Sequence, residues 1–239
     1  MIPGSANSSA IRAMPMLELL GFWRDLVAYG PQLLEGLRKT LVLAGSVSVS
    51  GLLGGILVFG LTLSHQPAVR RITEAWVSFF IGMPLLVLLF LVYYGLPQWG
   101  VRLSPFEVAF WGFTLNVSAY NARYLTTAYR SLDAAELEAA HAQGFGASQI
   151  FLWIILPQVL RLSVPALTNQ VILNLKDSSI AFLIQYTEFF AQVQELAAQN
   201  FRFFQAYVMA GMVYLALVSV IVLAARRLEA RIILPGLER

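Results

Sequence analysis

Few residues in this 239-residue chain can do chemistry, and most of them interrupt long apolar runs. Asn116, Tyr120, Asn121 and Arg123 break one such run. On a helix Asn116, Tyr120 and Arg123 stand at i, i+4 and i+7 and share a face. That face can line a path for a polar solute, and the planar fork of Arg123 can hold a carboxylate. An arginine near the end of its span can equally reach the membrane interface or pair with a partner subunit. A second cluster holds Asn169, Asn174, Lys176, Asp177, Ser178 and Ser179. Lys176–Asp177 reads as an unwound point that receives a charged solute, as a structural pair, or as plain loop between helices. Gly82 and Pro84 can loosen a span and free its carbonyls for a ligand; a packing kink has the same signature. Ionisable groups inside spans are costly and are functional candidates by default.

Other chemistries find no residues. The chain has no cysteine, which excludes a disulfide scaffold, thiol catalysis and cysteine metal sites. His65 and His141 stand alone, away from other ligand types, so a metal site is not expected. There is no H-E-x-x-H, no G-x-S-x-G and no G-x-x-x-x-G-K-[ST] phosphate loop. An intramembrane enzyme lacks its nucleophile and base, and the chain cannot hydrolyse ATP itself.

The elements that must position these residues are membrane helices. Hydrophobic residues make up 58% of the chain and charged residues 12%, against roughly 45–50% and 25% in soluble domains. A net charge of +3 is too small to suggest nucleic acid and fits basic membrane-facing loops. A spanning helix needs about 20 apolar residues. Thr40–Leu63, Ala75–Val101 and Phe203–Ala225 satisfy this without a charge. Val108–Ala122 is stopped at Arg123, with helical character on to Arg130, and Leu162–Leu175 runs into Lys176 and Asp177. Interrupted spans of this kind sit inside a bundle. The expected fold is all-α: a polytopic membrane protein of about five transmembrane helices.

Residues 1–39 read as a leader without a cleavable signal, followed from Met16 to Lys39 by an interfacial helix or elbow around Gly30-Pro31. Residues 40–232 form the transmembrane domain and 233–239 a cytoplasmic tail. Gly51-x-x-x-Gly55 permits close helix packing, and Tyr93, Tyr94, Trp99 and Trp111 read as interfacial aromatics. With the N-terminus outside, Arg70, Arg71, Arg130, Arg161, Arg226, Arg227, Arg231 and Arg239 fall in the cytoplasm. Arg102, Lys176 and Arg202 fall outside. Basic loops favour that orientation, N-terminus out and C-terminus in.

Leu132–Pro157 (LDAAELEAAHAQGFGASQIFLWIILP) lies in an expected cytoplasmic loop but is rich in helix formers. Asp133 suits an N-cap with Glu136 as its box partner. Gly144 and Gly146 allow a tight turn, and a second helix from near Ala147 ends or kinks at Pro157. Structured loops of about 25 residues are usually functional.

This loop resembles the EAA motif of binding-protein-dependent ABC transporter permeases: E-A-A-x-x-x-G, six variable residues, then F-x-x-I-x-L-P. Glu138, Ala139, Ala140, Gly144, Phe151, Ile154, Leu156 and Pro157 meet it at every spacing. IGMPLLVLLFLVYYGLP (81–97), LNVSAYNARYL (115–125) and ILPQVLRLSVPALTNQVILNLKDSSIAFLI (155–184) resemble the polar amino acid permease subfamily, and YGPQLLEGLRKTL (29–41) is similar to the approach to its first span. The resemblance implies a bacterial inner-membrane permease importing a polar amino acid or close analogue. It implies a second permease subunit, identical or paralogous, and a periplasmic or lipid-anchored binding protein. A separate cytoplasmic ATPase dimer would carry ATP and Mg, leaving this chain without a cofactor and in contact with membrane lipid but no nucleic acid. Glu138, Gly144 and Pro157 would then shape and anchor the loop on that ATPase. Two departures stand out: Arg123 where relatives are often acidic, and Ile81 where they often carry a basic residue. The alternative, an ion-coupled secondary transporter or channel, would need no such loop.

Overall fold

A computed structural model of the chain describes residues 8–232, with side chains from 21 to 227. The expected tail and the first seven residues of the leader therefore lie outside the described residues. Every regular element among them is helical. In order they are α1 (Ser8–Thr62), α2 (Pro67–Gly82), α3 (Leu85–Phe90), α4 (Pro105–Tyr129), α5 (Ala134–Ala142), α6 (Ala147–Gln149), α7 (Leu156–Asp177), α8 (Phe189–Asn200) and α9 (Phe203–Ile232). A π-helical turn (Leu91–Gly95) and a 3-10 turn (Leu96–Trp99) extend α3. Another π-helical turn (Ile150–Ile155) joins α6 to α7.

Helix α1 has 55 residues and passes unbroken through Gly30-Pro31, where the sequence suggests an elbow. At 1.5 Å per residue it is about 80 Å long, against about 30 Å of hydrocarbon. Packing explains its continuity. Leu33 and Leu37 carry on the apolar stripe of Phe22 and Leu26 against α8 and α9. A Cβ at Gly36 would come within 2.8 Å of Gln192 Cγ and 3.0 Å of the Glu188 carbonyl oxygen. Pro31 removes one helical hydrogen bond, and the neighbouring helix holds the rest.

The run expected as one span from Ala75 to Val101 is broken. α2 and the α3 arm meet at 99°. Met83 is extended (φ −88°, ψ 126°), the conformation that a following proline imposes. Three stretches among the described residues are long and apolar enough to cross a membrane alone: Gly21–Thr62, Ala147–Ile184 and Phe203–Arg227; the bent pair makes a fourth. α4 reaches that length with a more polar composition, because it is the central helix. It packs most extensively on α1 and also on α2 and α7, and Asn116, Ser118 and Asn121 are buried along it.

Glycines make the α1–α4 approach possible. Gly51 and Gly54 lie directly against Val117 and Ser118. A Cβ at Gly55 would sit 2.5 Å from Asn121 Cβ and 3.3 Å from the Ala122 nitrogen and the Ser118 carbonyl oxygen. Gly55→Val should therefore lower stability by about 1–3 kcal/mol through overpacking. Gly45→Ala, where nothing lies within 4 Å, should hold it or gain up to about 1 kcal/mol. Thermal unfolding of both variants in detergent checks this; equal effects would contradict a tight seam.

Candidate functional site

A cavity of ≈ 370 Å³ opens where the α2–α3 break faces α4 and α7. Ile81, Gly82, Met83, Pro84 and Leu85 form one wall. Asn116 and Tyr120 come from α4, and Gln170, Leu173 and Asp177 from α7. Five of the residues singled out by sequence, Gly82, Pro84, Asn116, Tyr120 and Asp177, thus converge from three helices.

The cavity wall is polar for a local reason. The helix stops at Gly82, so the last carbonyls of α2 lose their i+4 donors. One is recovered when Asn116 Nδ2 donates to the Phe80 carbonyl at 2.9 Å. Behind the cavity runs a chain of amides. Tyr124 Oη donates to Gln170 Oε1 at 3.4 Å, Gln170 Nε2 to Asn174 Oδ1 at 3.0 Å, and Asn174 Nδ2 to Ser48 Oγ at 3.0 Å. This ladder fixes the Gln170 side chain beside a carboxylate, Asp177. The site offers oxygen acceptors and one anionic group, which suits a solute bearing an ammonium group.

Other sequence candidates go elsewhere. Asn121 packs into the glycine seam, its Oδ1 buried without a hydrogen-bond partner. Arg123 is exposed and absent from the cavity lining. It shares the face of Asn116 but stands about 10 Å further along the axis, two turns on, past the break. The ion pairs among the described residues are Arg38–Glu35, Arg70–Glu74 and Arg202–Asp25, so Arg123 has no carboxylate within reach there. Asn169 is exposed. Ser178 is buried and its hydroxyl donates back to the Leu175 carbonyl at 2.7 Å. Lys176 and Asp177 make no pair. Successive helical residues point about 100° apart, and Lys176 opens instead onto a second cavity of ≈ 360 Å³ with Ser179, Phe190, Tyr207, Ala210, Gly211 and Tyr214.

The 132–157 segment forms a helix, a glycine turn and a second helix. Asp133 caps α5 by accepting from the Ala135 N–H at 2.9 Å. Glu136, the expected box partner, accepts instead from Gln158 Nε2 at 3.0 Å and ties α5 to α7. Gly144 has φ +83° with open space where a Cβ would go, so the turn needs its backbone freedom rather than its small size. Glu138, Ala139 and Gly144 are exposed, Leu156 and Pro157 half-buried. Ala140 is buried, and Phe151 and Ile154 pack with it into the core. Phe151 lies over Gly60 and 5.9 Å from the Phe59 ring. The helix after the turn does not end at Pro157. Pro157 is the second residue of α7, directly after the π-helical turn, and the chain stays helical from Ala147 to Asp177.

Two positions escaped the sequence reading. Gln170 lies four residues before Asn174, a spacing that puts both amides on one face. Glu188, the other, is fully buried. It caps α8, accepting from the Phe190 and Ala191 N–H groups at 2.9 and 2.8 Å, and takes the Thr40 hydroxyl of α1 at 2.9 Å and the Tyr214 hydroxyl of α9 at 3.4 Å.

A chain with membrane-length helices, a cavity at a helix break and a structured loop has the parts a transport permease needs. The chain belongs to the family of binding-protein-dependent transport system inner membrane components, which it matches over residues 51–234. It is 34% identical over 195 residues to the probable amino-acid permease protein YxeN of Bacillus subtilis (strain 168), covering 80% of this chain and 87% of that one. It is also 34% identical over 209 residues to the probable amino-acid ABC transporter permease protein PatM of Vibrio harveyi, covering 86% and 89%. A crystal structure of an amino acid ABC transporter with histidines superposes with a TM-score of 0.79 at 27% identity, covering 86% of this chain and 96% of that one.

Replacing Glu188 by Leu strips four donors of their acceptor. It should cost about 2–3 kcal/mol and speed hydrogen exchange at the Phe190 and Ala191 amides. Unchanged exchange there would remove Glu188 as the cap.

Proposed function

We propose that this chain is the permease subunit of an ATP-driven importer for a polar amino acid or a close analogue. The observation that carries this reading is the continuity of the helix from Ala147 to Asp177. Its 31 residues, about 45 Å of helix, start at the Gly144 turn and end at the cavity. A partner that moves the turn therefore moves one cavity wall through a continuous helical connection, in which the π-helical turn at Ile150–Ile155 and the internal Pro165 are the points where it can bend.

In this reading the cavity is part of the translocation path. Asp177 meets the ammonium group of the solute, Gln170 and Tyr120 add hydrogen bonds, and the freed α2 carbonyls complete the shell. The exposed Glu138, Ala139 and Gly144 dock in a groove of a separate ATPase dimer, which binds ATP and Mg. The loop faces the cytoplasm, the N-terminus lies outside, and a periplasmic or lipid-anchored binding protein delivers the solute. A second permease subunit, identical or paralogous, closes the path and faces Arg123, leaving that guanidinium to a partner or to the solute after it has left the cavity. The names of the similar permeases support an amino acid as the solute class.

Reconstitution with the neighbouring ATPase and binding protein in liposomes tests this. Uptake of labelled amino acids should require ATP. Glu138→Lys and Gly144→Asp should reduce uptake at least tenfold, and Asp177→Asn should raise KM by about tenfold, the loss of roughly 1.4 kcal/mol from a charged contact. ATP-independent uptake, or full uptake in both loop variants, would sink the proposal.

A further inference from the structure

We propose that Asn116 is a positioning residue: its side-chain amide replaces the backbone donor that Pro84 lacks, and so holds the α2–α3 break in shape. In an uninterrupted helix the Phe80 carbonyl would accept from the N–H of residue 84. Proline has none. The preceding amide, Met83 N–H, already serves the Phe79 carbonyl at 3.0 Å. Phe80 is buried, and an unpaired carbonyl on a buried residue is costly. Asn116 Nδ2 fills the gap at 2.9 Å from 36 residues away, and is itself buried.

The same face of α4 holds the other arm. Gly112, one turn before Asn116, faces Leu89 of α3, and a Cβ there would come within 2.6 Å of Leu89 Cδ2. Leu89 is fully buried. One turn of α4 therefore grips both sides of the break, by a hydrogen bond to α2 and by close packing to α3. α4 is itself fixed against α1 by the glycine seam, so the donor cannot drift away. The clamp deepens the transport reading: it rests on that reading for its consequence, a fixed wall of the solute cavity, but its geometry is tested without transport.

The cysteine-free chain permits a direct test. Cysteines at the exposed positions Arg71 and Gln98 carry spin labels on the full-length protein in lipid nanodiscs. A 1.5 Å rise places them about 25 Å apart across the bend and about 40 Å apart in a straight helix. Asn116→Ala and Asn116→Leu, the latter close in size but without a donor, should both broaden the distribution toward longer distances. In a Pro84→Ala chain, where residue 84 again has a donor, adding Asn116→Ala should produce no further shift. A narrow, unchanged distance in Asn116→Ala or in Asn116→Leu overturns the clamp. So does an additional shift in the Pro84→Ala background. Because uptake is not the readout, a failed clamp and a failed transport reading give different results.

Discussion

Everything in this subunit hangs on how closely α1 and α4 approach. Three glycines on α1 leave room for Val117, Ser118 and Asn121, so backbone comes near backbone without a layer of side chains between. Between apolar helices in lipid, hydrophobicity gives little drive to associate, and close van der Waals packing takes its place. Once α4 is seated, its polar residues turn to the protein interior. Asn116 then reaches the end of α2, Tyr120 reaches the cavity, and Tyr124 reaches Gln170 on α7. The site is a by-product of the seam: its polar groups are affordable because α4 touches protein on nearly every side.

A second constraint is the placement of prolines relative to donors. Pro84 and Pro157 both lack an N–H, yet they have opposite effects. Pro84 follows an extended residue, Met83, and the chain turns by 99°. Pro157 sits one residue into α7, just after a π-helical turn, and the rod continues. The difference lies in the residue before each ring: Met83 is extended, whereas Leu156 keeps helical angles (φ −59°, ψ −46°). One proline thereby makes a cavity wall, and the other joins that wall's opposite face to the Gly144 turn.

Much of this was legible from residues alone. The apolar runs mark the helices that cross, the spacing from Glu138 to Pro157 marks the loop, and Gly82, Pro84, Asn116, Tyr120 and Asp177 do share a cavity. Linear patterning gave no access to direction. Lys176 and Asp177 are adjacent in sequence and open onto different cavities, because neighbours on a helix diverge. Arg123 is in phase with Asn116 and yet too far along the axis to join it. Glu188 carries no local signature of its role. Its partners, Thr40 and Tyr214, lie 148 and 26 residues away in sequence, and no local pattern announces so distant a pairing. Continuity through Gly30-Pro31 was hidden for the same reason, since only the face of α8 explains it.

The length of α1 gives the Phe151 contact a mechanical meaning. Near one end of this single beam, Phe59 and Gly60 bear on the loop side chain that follows the glycine turn. Nineteen residues back, Thr40 is bonded to the Glu188 carboxylate that caps α8, and beyond it Asp25 grips Arg202 at 2.7 Å. The glycine seam lies between them, so one helix carries the contact with Phe151 near one end and the contacts with the α8–α9 corner towards the other. The loop after the glycine turn and the α8–α9 corner are thus joined by a single continuous helix.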